Sequence, residues 1–95
     1  MYRNDRFEWD ESKDQLNQAK HGLCFRDVCR AFDDPNGIDA PDDRHAEERW
    51  VLIAQIPLTT LVVTVVYSER GERDRIISAR VATGAEERTY HARGG

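Results

Sequence analysis

The chain has 95 residues and a formal net charge of −4, from 14 basic and 18 acidic side chains. A chain this short buries one hydrophobic core, so we expect a single domain over residues 1–95. Apolar residues make up 39% of the sequence, a fraction that argues against extended disorder. The longest apolar runs fall well short of the ~20 residues of a bilayer span, and the first residues lack an apolar signal segment. We therefore expect a soluble, cytoplasmic protein with no membrane partner.

The acidic balance is typical of proteins that do not bind nucleic acid, but its distribution along the chain changes that interpretation. Residues 33–48 contain seven acidic residues and one arginine, so the remainder of the chain carries a net charge of +2. We predict that this acidic segment is a solvated loop leading into the next strand, and a contact for a basic protein partner. Because salt screens charges beyond about 10 Å, arginines elsewhere can still bind phosphate, and we expect weak, salt-sensitive RNA binding.

The two cysteines are predicted to be reduced thiols. Cys24 and Cys29 lie five residues apart in a helical pattern, so their side chains point in different directions and suit a disulfide poorly. A C-x4-C pair followed by His45 does not match the ligand spacing of zinc sites. We predict no metal and no cofactor.

The N-terminal part of the sequence predicts one strand and two helices. Residues 6–9 alternate polar and apolar side chains, as a half-buried strand does. Asp10 is a suitable N-cap for a first helix, which would run to residue 21 and end at Gly22. A second helix is predicted from apolar side chains at i, i+3, i+4 and i+7, namely Phe25, Val28, Cys29 and Phe32. Pro35 ends that helix, because proline disfavours helix in the residue before it.

The C-terminal part predicts three strands and a short helix. Residues 50–56 and 61–67 are apolar, β-branched runs joined by a turn, and residues 75–81 follow a second turn as the third strand. Thr83 and Glu86 form a capping box that opens the final helix. The order β-α-α-β-β-β-α predicts an α+β fold in which a small antiparallel sheet has two N-terminal helices on one face and the other face open to solvent.

Strict alternation in the third strand predicts which of its side chains share a face. One face carries Ile77, Ala79 and Val81, and the opposite face carries Ile76, Ser78 and Arg80. We therefore expect Arg80 to project from the open face of the sheet, where a ligand has access.

Motifs spread over residues 7–90 resemble, in order and spacing, the BrnT family of ribonuclease toxins from type II toxin–antitoxin systems. They include Phe7-Glu8-Trp9-Asp10, Lys20-His21-Gly22, Phe32-Asp33-Asp34-Pro35, Glu48-Arg49, Glu69-Arg70 and Ile76-Ile77-Ser78-Ala79-Arg80. Each motif is weak alone, whereas the ordered set is specific. The resemblance implies a RelE-like fold and an endoribonuclease that cleaves mRNA and inhibits translation. It also implies a hetero-oligomer with a cognate BrnA-type antitoxin, which neutralises the toxin and through which alone the complex binds DNA.

Two adjacent positions depart from the family pattern. The family has a basic pair between its Ala-Thr motif and the following glutamate, and this chain has Gly84 and Ala85 there. If the basic pair binds RNA or the ribosome, this chain should bind more weakly. The alternative function is a catalytically degenerate member that acts only as an antitoxin-binding module. A stand-alone DNA-binding domain is disfavoured, because the sequence contains no basic recognition helix.

RNA cleavage without a metal needs a base for the 2′-hydroxyl, cations for the phosphate and an acid for the leaving oxygen. The candidate site residues are Lys20, His21, Glu48, Arg49, Glu69, Arg70 and Arg80. Arg80 is the strongest candidate, because a guanidinium on the open face can bind phosphate through two hydrogen bonds. Its alternative role is an ion pair with a glutamate.

Each of the other candidates also has a purely structural alternative. Histidine titrates near neutral pH and is a natural acid or base, but His21 at a helix end also interacts favourably with the helix dipole. Lys20, Arg49 and Arg70 are candidate phosphate ligands, and Glu48 or Glu69 is a candidate base; singly, each is equally a solvated surface group. The tyrosines Tyr67 and Tyr90 are candidates to stack on a base, with core packing as the alternative for Tyr67.

Overall fold

Six strands and three α-helices are present in the computed structural model, which describes residues 1–44 and 48–94. The strands are β1 (Tyr2–Arg3), β2 (Phe7–Trp9), β3 (Ile38–Pro41), β4 (Trp50–Gln55), β5 (Val62–Arg70) and β6 (Arg73–Val81). The helices are α1 (Glu11–His21), α2 (Phe25–Val28) and α3 (Gly84–Ala92), and a 3₁₀ helix, Cys29–Asp33, continues α2. No helix within the described ranges is long and apolar enough to cross a membrane.

The strands form one mixed sheet in the order β1-β2-β6-β5-β4-β3. Strand β2 runs parallel to β6, and all other neighbours are antiparallel. The predicted α+β class is confirmed, but the expected small antiparallel sheet is in fact larger and mixed. The two additional strands, β1 and β3, lie at the edges of the sheet, where short strands exposed to solvent need no apolar pattern.

The acidic segment is not simply a solvated loop, because most of its described carboxylates have partners inside the molecule. Asp34 accepts a hydrogen bond from the Tyr90 hydroxyl, and Asp39 accepts one from the Tyr67 hydroxyl at 3.0 Å. Asp42 is buried and pairs with Arg44, while Asp33 pairs with an arginine near the N-terminus. These carboxylates stabilise the fold. Residues 45–47, including His45 and Glu47, lie outside the described residues.

Helix α1 begins and ends as predicted and closes one edge of β6. The Asp10 side chain accepts a hydrogen bond from the Ser12 amide, and Gly22 ends the helix in the left-handed conformation with φ +69°. Asn17, the one buried residue of the helix, accepts the Ala79 amide of β6 at its side-chain oxygen, at 2.9 Å. Because β2 ends at Trp9, Asn17 takes the place of a further strand residue and holds α1 against β6.

The hydrophobic core lies between one face of the sheet and the helices. Phe25 and Val28 of α2 are fully buried against sheet residues such as Val63, Val65 and Ile76. The predicted second helix continues into its 3₁₀ turn and stops before Pro35. Cys29 is buried in the core, and both cysteines are free thiols, as predicted. Burial raises the pKa of the Cys29 thiol to about 12.

A β-bulge in β6 overturns the predicted alternation of its side chains. Val66 pairs with Ser78 and Tyr67 pairs with Ile76, so the register passes over Ile77. An extra residue reverses the alternation on one side of the bulge, and Ile76 therefore joins Ala79 in the core. The assignment of Ile76 to the open face was wrong, whereas Ser78 and Arg80 do lie there, opposite the core.

Candidate active site on the open face of the sheet

A cavity of about 570 Å³ lies on the sheet face opposite the core. We call it the open-face cavity, and its lining residues are Pro41, Asp42, Arg44, Arg49, Val51, Thr64, Val66, Ser78, Arg80 and Glu86. The lining residues on β4, β5 and β6 alternate along their strands with core residues. Because neighbouring residues of a strand point to opposite faces, the cavity lies on the face opposite the core. The lining holds three arginines against two carboxylates, so the cavity is locally positive in a chain whose net charge is −4.

Arg80 is held by Glu86 in a two-point ion pair. Its Nη1 and Nη2 atoms donate to Glu86 Oε1 at 2.6 Å and Oε2 at 2.9 Å. Glu86 also accepts the Thr83 amide at 2.8 Å, which completes the predicted capping box, and the Thr64 hydroxyl at 3.0 Å. The ion pair considered for Arg80 from sequence is therefore present. Among the described residues, Arg80 Nε donates to none, which leaves that edge of the guanidinium available to a ligand.

The ion pair also sets the protonation of both groups. The hydrogen bonds from Arg80, together with those from Thr83 and Thr64, outweigh burial and lower the pKa of Glu86 to about 2. In turn, the Glu86 carboxylate raises the pKa of Arg80. Both side chains are therefore charged at neutral pH, and Glu86 fixes the guanidinium without taking its proton.

We expect the Arg80–Glu86 pair to make the free energy of unfolding depend on pH in the acid range. The pKa of Glu86 is about 2 in the folded protein against an ordinary value of 4.5. The stabilisation is therefore fully present above about pH 4.5 and lost as the pH falls through about 2. Denaturant unfolding from neutral pH to pH 2 should show a steeper loss in the wild type than in Glu86→Gln. Identical pH slopes in the two proteins would contradict this assignment.

Arg44 is a site residue that the sequence argument did not propose. Its Nε donates to Asp42 Oδ1 at 2.8 Å and its Nη2 to Asp42 Oδ2 at 3.2 Å, and this pairing raises the pKa of Arg44. The Asp42 amide donates to the carbonyl of Arg49, just before β4, at 2.8 Å. In the sequence Arg44 is a single basic residue among acidic ones, whereas this backbone contact and the shared cavity lining place it beside Arg49.

The predicted residues of α1 lie next to this cavity. Lys20 and His21 are exposed in the last turn of the helix and line a second cavity of about 200 Å³. Ser78 lines both cavities, so the end of α1 and the cluster of arginines are neighbours. This arrangement follows from the Asn17–Ala79 hydrogen bond, which fixes the helix against β6.

The remaining three predicted residues do not line either cavity. Glu48 is exposed immediately before Arg49. Arg70 ends β5, six residues or about 20 Å along the strand from Thr64, and its Nε donates to the Ser68 hydroxyl at 3.3 Å. Glu69 alternates with Arg70 and so faces the other side of the sheet, where burial and the Glu69 charge raise the pKa of Asp74.

The two tyrosines are structural residues. Tyr90 is 1% exposed and Tyr67 is 6% exposed, so neither ring is accessible for stacking on a base. The stacking role considered for Tyr90 is therefore wrong, and Tyr67 packs in the core, which was the alternative. Within the described residues, no three His, Cys, Asp or Glu side chains lie close enough together to hold a metal ion.

Comparison with known proteins identifies the family. The profile of the family described as "Ribonuclease toxin, BrnT, of type II toxin-antitoxin system" matches residues 9–86 of this chain. The chain belongs to the BrnT family. Glu86 is the last matched residue, so the BrnT region includes all seven predicted site residues and the Arg80–Glu86 pair. Membership makes the protein a ribonuclease toxin, and a type II toxin has a cognate antitoxin as its partner.

A solved BrnT structure confirms the architecture. The crystal structure of the Brucella abortus ribonuclease toxin BrnT is similar to this chain, with a TM-score of 0.63 and 26% sequence identity. The similarity covers 84% of this chain and 99% of the Brucella chain, and it confirms the RelE-like α+β fold. No curated protein matches the chain significantly.

Proposed function

We propose that this BrnT toxin is a metal-independent endoribonuclease that cleaves mRNA in the cytoplasm and thereby inhibits translation. The observation that supports the proposal most directly is the convergence of Arg44, Arg49 and Arg80 in one cavity that adjoins His21. A ribonuclease must offset the negative charge that builds up on the phosphate as it reacts, and fixed guanidinium groups do so without reorganisation.

In the proposed reaction the attacking group belongs to the RNA itself. The 2′-oxygen bonds to phosphorus and gives its proton to a base. The bond from phosphorus to the 5′-oxygen breaks, and an acid protonates that oxygen. The products are a 2′,3′-cyclic phosphate and a 5′-hydroxyl. His21 and Glu48 divide the two proton transfers between them, while Lys20, Arg49 and Arg80 bind the phosphate.

Arg80 binds through the edge that Glu86 leaves available, and Arg49 approaches from the start of β4. Arg70 lies on the open face nearer the β5–β6 turn and takes an auxiliary role, whereas Glu69 faces the other side of the sheet and takes no part in the proposed reaction. The positive charge that a divalent ion would supply comes from the arginines, which is the reason to propose that no metal is needed.

The proposed partner is a BrnA-type antitoxin that forms a hetero-oligomer with the toxin and alone contacts DNA. A role of the acidic segment in binding a basic antitoxin remains a prediction, and the hydrogen bonds of its carboxylates decide which variant can test it. Asp39 and Asp42 have partners in the fold, so neutralising them would also disturb the toxin. Asp43→Asn is the cleaner variant, because Asp43 is exposed.

The decisive experiment is cleavage of single-stranded RNA by the purified chain in excess EDTA. We expect products with 2′,3′-cyclic phosphate ends, and no cleavage of an oligonucleotide that carries 2′-deoxyribose at the cleaved position. Activity that appears only after a divalent metal is added would contradict metal independence. A chain that binds its antitoxin but cleaves no RNA would instead be the degenerate interaction module that Gly84 and Ala85 suggest.

A further inference from the structure

We propose that three arginines at the β5–β6 turn end of the open face form a second phosphate-binding site, which holds single-stranded RNA beside the open-face cavity. They are Arg3, Arg73 and Arg75, and we call them the turn-end arginines. None of them lines the open-face cavity. The inference rests on the proposed function, since it takes that cavity as the place of cleavage, and it gives the substrate a minimum length.

The turn-end arginines lie on the same face as the cavity and directly beside it. Successive cross-strand pairs on this face of β5 and β6 are Thr64–Arg80, Val66–Ser78, Ser68–Arg75 and Arg70–Arg73. The first two pairs line the cavity and the last two follow without a gap. Pairs on one face are about 7 Å apart along the strands, so a nucleic-acid strand that leaves the cavity towards the turn passes over these arginines.

A buried carboxylate orients two of the three arginines. Glu8 is 4% exposed and is paired in the sheet with Arg75 on one side and Arg3 on the other. Arg75 Nε donates to Glu8 Oε2 at 2.7 Å, the Arg75 Nη2 atom lies 2.5 Å from the same oxygen, and Arg3 Nε lies 3.4 Å from Oε1. Mainly because of the hydrogen bonds from Arg75, the pKa of Glu8 is lowered, and the carboxylate stays ionised.

The third arginine is fixed by the backbone. Arg73 Nε donates to the carbonyl of Asn4, in the loop between β1 and β2, at 2.6 Å. Hydrogen bonds thus fix one edge of Arg73 and of Arg75, and an ion pair holds Arg3 near Glu8. Within residues 1–44 and 48–94 the Nη1 atom of Arg75 and both Nη atoms of Arg3 and Arg73 donate to no partner. Fixed guanidinium edges of this kind suit the oxygens of phosphate.

The charge balance favours an anionic ligand over a purely structural network. One carboxylate, Glu8, contacts the guanidinium groups of both Arg3 and Arg75, whereas Arg80 and Glu86 in the cavity pair one to one. Arg73 adds a third positive charge whose partner is a backbone carbonyl. Side-chain exposures of 55% for Arg3 and 34% for Arg75 leave both accessible. Phosphate contacts carry no sequence information, so the site should hold the RNA backbone whatever its bases.

The test compares a short and a long RNA that share one cleavage site. The short RNA ends one nucleotide from the site on each side, and the long RNA extends several nucleotides further in both directions. In the variant Arg3→Gln/Arg73→Gln, Arg75 still pairs with Glu8, so the fold is preserved. We expect KM for the long RNA to rise roughly tenfold with kcat unchanged, and no change for the short RNA. Two lost phosphate contacts should reduce the salt slope of binding by about 1.4.

Arg26→Gln/Arg30→Gln is the matched control, since it removes the same charge from exposed positions in the helical layer. Equal effects in the two double variants, or equal effects on short and long RNA, would overturn the second site. Loss of antitoxin binding with an unchanged KM would show that the turn-end arginines contact protein. A second measurement separates this inference from the proposed function: the affinity for an uncleavable 2′-deoxy version of the long oligonucleotide. If the wild type cleaves no RNA, the proposed function fails. The second site is then still supported if Arg3→Gln/Arg73→Gln weakens binding of this oligonucleotide, and it is overturned if binding is unchanged.

Discussion

Replacing Arg80 with alanine is expected to lower kcat/KM for RNA by roughly 10²- to 10³-fold, the usual cost of removing a fixed group that stabilises transition-state charge. Arg80 lies in the open-face cavity with one guanidinium edge available and the opposite side fixed by Glu86. The fold should survive, because Glu86 keeps its hydrogen bonds from Thr83 and Thr64. Single-turnover cleavage of one oligonucleotide by wild type and variant, with far-UV circular dichroism of both, measures the effect.

A double-mutant cycle separates the roles of the two residues. Glu86 orients Arg80 and is a positioning residue, so Glu86→Gln should reduce kcat/KM by less than Arg80→Ala does. In the Arg80→Ala background, Glu86→Gln should cause no further loss, because the group it positions is gone. Additive losses would show that Glu86 acts on the RNA independently. An unchanged rate in Arg80→Ala would remove Arg80 from the active site.

Replacing Asp34 with alanine is expected to lower the free energy of unfolding by about 2 to 4 kcal/mol, since three donors, one of them on the buried Tyr90, lose their partner. The Asp34 carboxylate accepts the Tyr90 hydroxyl at 2.5 Å, the Gln55 amide at 2.8 Å and the Asn36 amide at 3.0 Å. Burial opposes ionisation of Asp34, but these bonds outweigh it and lower the pKa of the carboxyl group. Because Tyr90 lies on α3, its hydrogen bond to Asp34 holds this helix, which also carries Glu86, against the rest of the domain.

Denaturant unfolding at neutral pH measures this loss, and the neighbouring residue provides the control. Asp33 pairs with Arg6 at the surface, with both side chains more than half exposed, so Asp33→Ala should cost less than about 1 kcal/mol. Tyr90→Phe removes a single hydrogen bond and should fall between the two. Equal losses for Asp33→Ala and Asp34→Ala would show that the network around Asp34 contributes nothing.

The features that the sequence predicted correctly are those set by neighbours in the chain. The N-cap at Asp10, the end of α1 at Gly22 and the capping box of Thr83 and Glu86 each depend on residues within a few positions, so their patterns are visible locally. The prediction that Arg80 faces outward also succeeded, because the bulge at Ile77 lies before it. The prediction for Ile76 failed because of the same bulge. The bulge arises from the register between β6 and β5, which the sequence around Ile76 does not show.

What the sequence missed depends on contacts between distant residues. Pairing of β2 with β6 joins residues more than sixty positions apart, and nothing near Phe7 or Ile76 indicates that these strands run parallel. Arg44 was overlooked because its surroundings in the chain are acidic, although its surroundings in space are the other arginines. Glu86 was assigned only its local role as a cap, since its bonds to Thr64 and Arg80 cross the sheet.

The position of β6 has a consequence for synthesis of the toxin. This strand lies between β2 and β5 in the sheet but is the last of the six to leave the ribosome, and Glu86 follows it. In a nascent chain that ends before β6, strand β2 has no parallel strand to pair with, and Arg80 has not yet been added. Domains fold as units once their sequence has emerged. The open-face cavity, which Arg80 and Glu86 line, therefore forms only after all six strands have been synthesised.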